Sequence, residues 1–135
     1  MIEYRLLEDF PDELIERVAG FYLDAGWISA SDSSAFLKPA LTGSFLVAGA
    51  FDKERIVGIA RVLSDGCSDA YIQDVTVDQA YRGMGIGGNL IKTLVAELKR
   101  HNVDWIGLVG EPGTESFYQK LGWQKKDGYS LWKKE

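Results

Sequence analysis

A chain of 135 residues can carry one domain with a real core, and a content of 46% hydrophobic and 12% aromatic residues excludes a disordered polymer. Twenty acidic against fifteen basic side chains give a net charge of −5, which argues against nucleic acid as a partner, because phosphate binding needs a basic face. No apolar run approaches membrane-spanning length, no signal peptide is read at the start, and a single Cys67 leaves no internal disulfide, so no membrane partner and a cytoplasmic location are expected.

In chain order, Tyr4–Leu7 is expected as a first strand. Pro11 suits a first helical turn, and Leu14, Ile15, Val18, Ala19 and Tyr22 form an apolar stripe that Gly26 can end. Trp27-Ile28 precedes a polar loop, Ser29–Ser34, and Ser34–Ala40 is expected as a short helix closed by Lys38-Pro39. Phe45–Phe51 and Ile56–Leu63, joined by Asp52–Arg55, predict an antiparallel hairpin. Ser64–Asp69 turns the chain into a central strand, Tyr71–Val77. Period-two alternation puts Tyr71, Gln73, Val75 and Val77 on one face and Ile72, Asp74 and Thr76 on the other, unless a bulge disturbs the count. Cys67 lies in that turn beside acids that disfavour a thiolate nucleophile.

After Val77 come a polar connector, a glycine-rich turn and a helix. Ile86, Leu90, Ile91, Leu94, Val95 and Leu98 make the helix's apolar stripe, and His101-Asn102 its stop. Trp105–Val109 is expected as a strand parallel to Tyr71–Val77, and Gly113–Leu121 as a helix with Gly122 at its C-cap. Trp123–Lys126 and Tyr129–Lys133 are expected to close the chain as a hairpin turned at Asp127-Gly128. The 135 residues thus predict a single α/β domain, a mixed and mostly antiparallel sheet with helices on both faces.

The glycine-rich turn carries the chemistry. Gly83, Gly85, Gly87 and Gly88 open the helix, where bare backbone or positive φ is the reason for glycine. A helix N-terminus has unpaired N–H groups and about half a positive charge, so that turn is a ready phosphate cradle. Arg82 adds a charged donor at its lip. Gly83–Gly88 also matches the dinucleotide pattern G-x-G-x-x-G, with Glu111 about twenty residues on, where a ribose-binding acid would stand. Against a dinucleotide module, Asp78–Arg82 separates the strand from the first glycine, and the chain offers one strand-helix-strand unit where a doubly wound sheet needs several.

Arg82-Gly83-Met84-Gly85-Ile86-Gly87 resembles the Q/R-x-x-G-x-G/A motif of the GNAT acyltransferase superfamily. Asp74–Val77 upstream and Ser116–Trp123 downstream, similar to that family's F-Y-x-K-L-G-F block, stand in the family's order and spacing. The resemblance covers nearly the whole chain and is firmest from Ile56 to Trp123.

It implies that the two parallel strands splay and that acyl-CoA lies in the gap. The backbone groups of Val75 and Val77 would pair with pantetheine, and Arg82, Gly83, Met84, Gly85, Ile86, Gly87 and Gly88 would hold the pyrophosphate. The implied reaction is direct attack of a primary amine, of a small molecule or a protein, on the thioester of acetyl-CoA, with no metal. Tyr118 occupies the family's tyrosine position and is the expected general acid. Asp74, the only carboxylate in the strand, is the nearest candidate for a base, with a structural pinning role as its alternative. A water chain, or an acceptor that arrives deprotonated, is the route without a dedicated base. Trp27 and its loop are candidate acceptor contacts, as is Gln73, where the strand resembles that of glucosamine-phosphate acetyltransferases with Gln73 in place of an acid. Relatives often carry an Asn ahead of the Phe-Tyr pair that contacts the cosubstrate. Glu111 stands there instead, and is expected to face acceptor or solvent. A non-catalytic acyl-CoA-binding sensor is the competing function. Family members often dimerise, and the aromatic Trp123–Trp132 region is a candidate homodimer interface.

Overall fold

The computed structural model describes residues 1–135. Its elements are β1 (Ile2–Leu6), α1 (Asp12–Asp24), α2 (Leu37–Thr42), β2 (Leu46–Asp52), β3 (Arg55–Ser64), β4 (Asp69–Val77), a 3-10 turn (Gln79–Tyr81), α3 (Ile86–Arg100), β5 (Trp105–Leu108) and α4 (Glu115–Lys120). The strands form one sheet in the order β1-β2-β3-β4-β5. Every pairing is antiparallel except β4–β5.

The sheet has a core on each face. α3 lays its stripe, Ile86, Leu90, Ile91, Leu94 and Leu98, against Ala48, Ala50, Val57, Ala60 and Val62. Gly58 permits the approach, since a Cβ there would stand 3.2 Å from both Ile86 and Leu90. On the other face Val18, Phe21 and Tyr22 of α1 and Leu37 and Leu41 of α2 pack on Val47, Phe51 and Ile59.

Two helices end in the same device, and both endings place an aromatic residue. Past α1, Gly26 at φ 78° donates to the Leu23 carbonyl, and Trp27 N–H donates to the Tyr22 carbonyl. The rings of Trp27 and Tyr22 then meet edge to face at 5.1 Å. Past α4, Gly122 at φ 89° donates to Gln119, Trp123 donates to Tyr118, and those rings lie 6.4 Å apart. Each is a Schellman ending, with its left-handed glycine and its apolar clasp.

Three expectations need correction. Lys38-Pro39 does not close the second helix. It lies in the first turn of α2, where a missing N–H costs nothing. No strand follows α4: Asp127-Gly128 turns, but Tyr129, Leu131 and Trp132 are 84, 75 and 89% exposed. A two-stranded hairpin is marginal without a face to bury, and Lys125 pairs with Glu115 of α4 instead, at 3.1 Å. The third correction concerns β4. Strict alternation would put Val75 and Val77 on one face with Tyr71 and Gln73. The ladder to β3 runs Arg61 to Gln73 and then Ile59 to Thr76, so Asp74 and Val75 together oppose Ala60. That bulge reverses the phase, and Val75 and Val77 join Ile72 on the α3 face.

Candidate active site

β4 and β5 pair from Asp69–Trp105 to Ile72–Leu108 and then part. Past the parting, Asp78 N–H donates to the Val57 carbonyl at 2.8 Å, so Asp78 faces β3. By alternation Val77 and Val75 turn their N–H and C=O groups the other way, toward the gap. One of these is partly engaged: Arg82 Nε donates to the Val77 carbonyl at 3.2 Å. The remaining guanidinium N–H groups have no partner in the chain, at the lip of the glycine turn.

The turn has the geometry expected of a cradle. Gly83 and Gly85 both sit at φ 79°, and Gly85 is the N-cap of α3 with no side chain capping the helix. The first N–H groups of α3 therefore lack a side-chain acceptor. Gly87 borders both halves of the site, since a Cβ there would lie 3.4 Å from Phe117 and 3.8 Å from Val75. Gly88 does different work. It is buried, and a Cβ would come within 2.9 Å of Leu121, so its missing side chain seats α4 against α3. Ile86 sends its side chain into the core, and Met84 is exposed. Ile86, Met84 and Gly88 can thus offer an anion only backbone.

Beside the cradle lies a cavity of about 390 Å³. Its floor is Ile72, Gln73, Asp74 and Val75 of β4 with Leu108 and Val109, and its walls are Tyr71, Trp27, Glu111, Thr114 and Tyr118. Of the residues singled out in the sequence, Trp27, Gln73, Asp74, Val75, Glu111 and Tyr118 meet here. Val77 and Arg82–Gly88 lie outside it, along the gap toward α3.

Trp27 donates its indole N–H to Glu111 Oε1 at 2.7 Å, joining segments 84 residues apart across the cavity. Tyr118 is half-buried and its hydroxyl makes no hydrogen bond within the chain. Burial, and after it the charge of Glu111, pushes its phenol above the ordinary tyrosine value. Asp74 stands at φ 58°, and its Oδ2 accepts from Tyr22 Oη and from Arg61 Nε, both at 2.8 Å. The bound Asp74 in turn adds to burial in holding the Tyr22 phenol well above its usual range. Cys67 lies exposed in the β3–β4 turn, where the hydrogen bond and charge of Asp65 raise its thiol. It is not among the residues that line the cavity.

Glu111 was the residue hardest to place from sequence. Its two signals were the dinucleotide spacing from the glycine turn, which the fold does not support, and the count back from Phe117 to a position that commonly holds an amide.

An open sheet whose single parallel pair parts beside a glycine-led helix defines an acyltransferase architecture. The doubly wound sheet of a dinucleotide module is absent, since only β4 and β5 run parallel. The chain belongs to the Acetyltransferase (GNAT) family, whose sequence profile matches residues 5–123. It is 34% identical over 91 residues to an uncharacterized N-acetyltransferase, ycf52-like, of Prochlorococcus marinus, covering 64% of this chain and 51% of that one. The chain spans about half the length of the curated relatives it matches. Among solved structures, a GNAT family acetyltransferase of Streptococcus pneumoniae superposes with a TM-score of 0.78 over 100% of both chains, at 26% identity. A protein of Clostridium acetobutylicum described as a predicted acetyltransferase, solved with acetyl-CoA, shares the fold with a TM-score of 0.74 at 21% identity, over 98% of this chain and 96% of that one. No helix is long and apolar enough to cross a membrane.

Proposed function

We propose that these 135 residues act as one N-acetyltransferase domain that moves an acetyl group from acetyl-CoA to a primary amine. The observation that carries this reading is the parting of β4 from β5 directly beside an uncapped, glycine-led helix. A free strand edge suits an amide-bearing chain such as pantetheine, and the cradle suits its pyrophosphate. Val75 and Val77 supply the edge, while Arg82, Gly83, Met84, Gly85, Ile86, Gly87 and Gly88 supply the turn, through backbone except at Arg82.

The acceptor enters the cavity beside them. Trp27, Tyr71 and Tyr118 give it aromatic walls, Gln73 a polar contact and Glu111 a negative charge, a lining suited to a cationic amine. Acetyl transfer needs a proton taken from nitrogen as its bond to the acetyl carbon forms, and a proton given to sulfur as the C–S bond breaks. Tyr118 supplies the second from a phenol that stays protonated at neutral pH. Two carboxylates reach the cavity for the first. Asp74 was the expectation from sequence, but one of its oxygens is already committed to Tyr22 and Arg61. Glu111 has only the Trp27 indole to hold and lies close enough to Tyr118 for its charge to oppose ionisation of the phenol, so we assign the acceptor's ammonium and its proton to Glu111. A single exposed thiol fits the cytoplasm as its compartment. The exposed Tyr129, Leu131 and Trp132 are where a homodimer contact would fall.

The test is free-thiol release from acetyl-CoA across a panel of primary amines. Amine-dependent release is expected. Tight acetyl-CoA binding with no release for any amine would instead support a sensor. Glu111→Gln keeps an oxygen for the Trp27 indole and removes the charge. It should raise the KM for a cationic amine roughly tenfold or more and leave the acetyl-CoA KM within about twofold. An unchanged amine KM and kcat would remove Glu111 from the acceptor site.

A further inference from the structure

Helix α1 sends two side chains beneath the sheet to β4, and neither takes part in the transfer chemistry. Arg17 reaches the Ile56 carbonyl and the Asp78 carboxylate at the exit of β4. Tyr22 reaches Asp74 at the bulge, where Arg61 of β3 binds the same carboxylate oxygen. Asp74 is one of three non-glycine residues with positive φ, and the only one inside a strand. The left-handed conformation strains any residue with a Cβ, although Asp tolerates it better than most. Lys53 and Asn102, the other two, sit in a two-residue hairpin turn and past a helix end, where such a conformation is ordinary. In the middle of a strand something must hold it.

The bulge decides what the gap offers. Without it, every later residue of β4 would shift by one against β3. Val77 would then take the place of Asp78 opposite Val57, and its N–H would be spent inside the sheet. With it, the amides of Val75 and Val77 face the gap. We infer that Tyr22 and Arg61 are positioning residues: by clasping Asp74 they hold the left-handed bulge that turns the β4 edge toward acetyl-CoA. Asp74 then serves through its conformation rather than as the base. This inference rests on the reading that the β4 edge binds acetyl-CoA.

Glycine separates conformation from clasp, because it adopts φ 58° with no side chain to hold. Acetyl-CoA affinity, measured by titration calorimetry, should fall roughly tenfold in Asp74→Ala and stay within about threefold of wild type in Asp74→Gly. Tyr22→Phe should weaken binding about fivefold in the wild-type background and less than about twofold in the Asp74→Gly background, since no carboxylate remains to clasp. Turnover at saturating acetyl-CoA should survive in Asp74→Gly. Wild-type affinity in both Asp74→Ala and Tyr22→Phe would overturn the positioning role, and so would an Asp74→Gly variant as weak as Asp74→Ala. Loss of turnover in Asp74→Gly with affinity kept would make Asp74 the base after all. If wild type itself binds no acetyl-CoA, the proposed function falls and the positioning role falls with it.

Discussion

Gly85→Asp and Gly87→Asp should each abolish measurable acetyl-CoA binding while leaving the fold intact. An aspartate at the N-cap or in the first turn of a helix is ordinarily welcome, because its carboxylate accepts the unpaired N–H groups and complements the helix dipole. Here that is the reason for the loss. The carboxylate would take the donors meant for phosphate and place a like charge against it. Two unit charges about 4 Å apart near a protein surface repel by about 4 kcal/mol, well over a hundredfold in affinity. At Gly87 the new Cβ meets Phe117 at 3.4 Å and Val75 at 3.8 Å, both ordinary contacts, so the variant should fold. At Gly85 nothing lies within 4 Å, but φ is 79°, so some helix stability is lost to strain. Circular dichroism beside calorimetry separates the two effects. Folded variants of both that retain micromolar affinity would displace the phosphate from this turn.

Tyr118→Phe should cut kcat by about a hundredfold or more, the low end for loss of a general acid, and shift the acetyl-CoA dissociation constant by less than about threefold. The substitution is clean. The ring keeps its packing on Phe117 at 4.9 Å and Trp123 at 6.4 Å. The hydroxyl leaves no orphaned partner behind, because it has none within the chain. Its raised phenol pKa keeps the proton on oxygen through the neutral range and makes the phenol a weaker donor in isolation, so the acid role rests on its place in the cavity and on the basicity of the departing thiolate. A variant with full kcat and weakened cosubstrate affinity would make Tyr118 a binding contact instead.

What the sequence disclosed was local. The α3 stripe, the glycines that end α1 and α4, and the strand-turn-helix order around Gly83 are all set by residues within a turn or two of one another. The Schellman endings even place Trp27 and Trp123, since each follows its glycine directly and meets, edge to face, the tyrosine whose carbonyl its N–H bonds. What stayed hidden was made by distant partners. The conformation of Asp74 depends on Tyr22, 52 positions away, and no alternation rule can report a bulge held from another layer. Glu111 becomes a cavity wall only when Trp27 arrives from 84 residues upstream. The closing hairpin failed for the opposite reason. Tyr129, Leu131 and their neighbours alternate as a strand should, but alternation stabilises nothing without a face to bury.

The central claim is that the gap between β4 and β5 and the turn beside it form an acyl-CoA site. Thermal unfolding with saturating acetyl-CoA, CoA or NAD tests it most directly. A ligand at a hundred times its dissociation constant adds about 2.7 kcal/mol to the folded state. Stabilisation of that size by acetyl-CoA and by CoA, with none from NAD, is the result this account predicts. Stabilisation by NAD alone, or by none of the three, would contradict it.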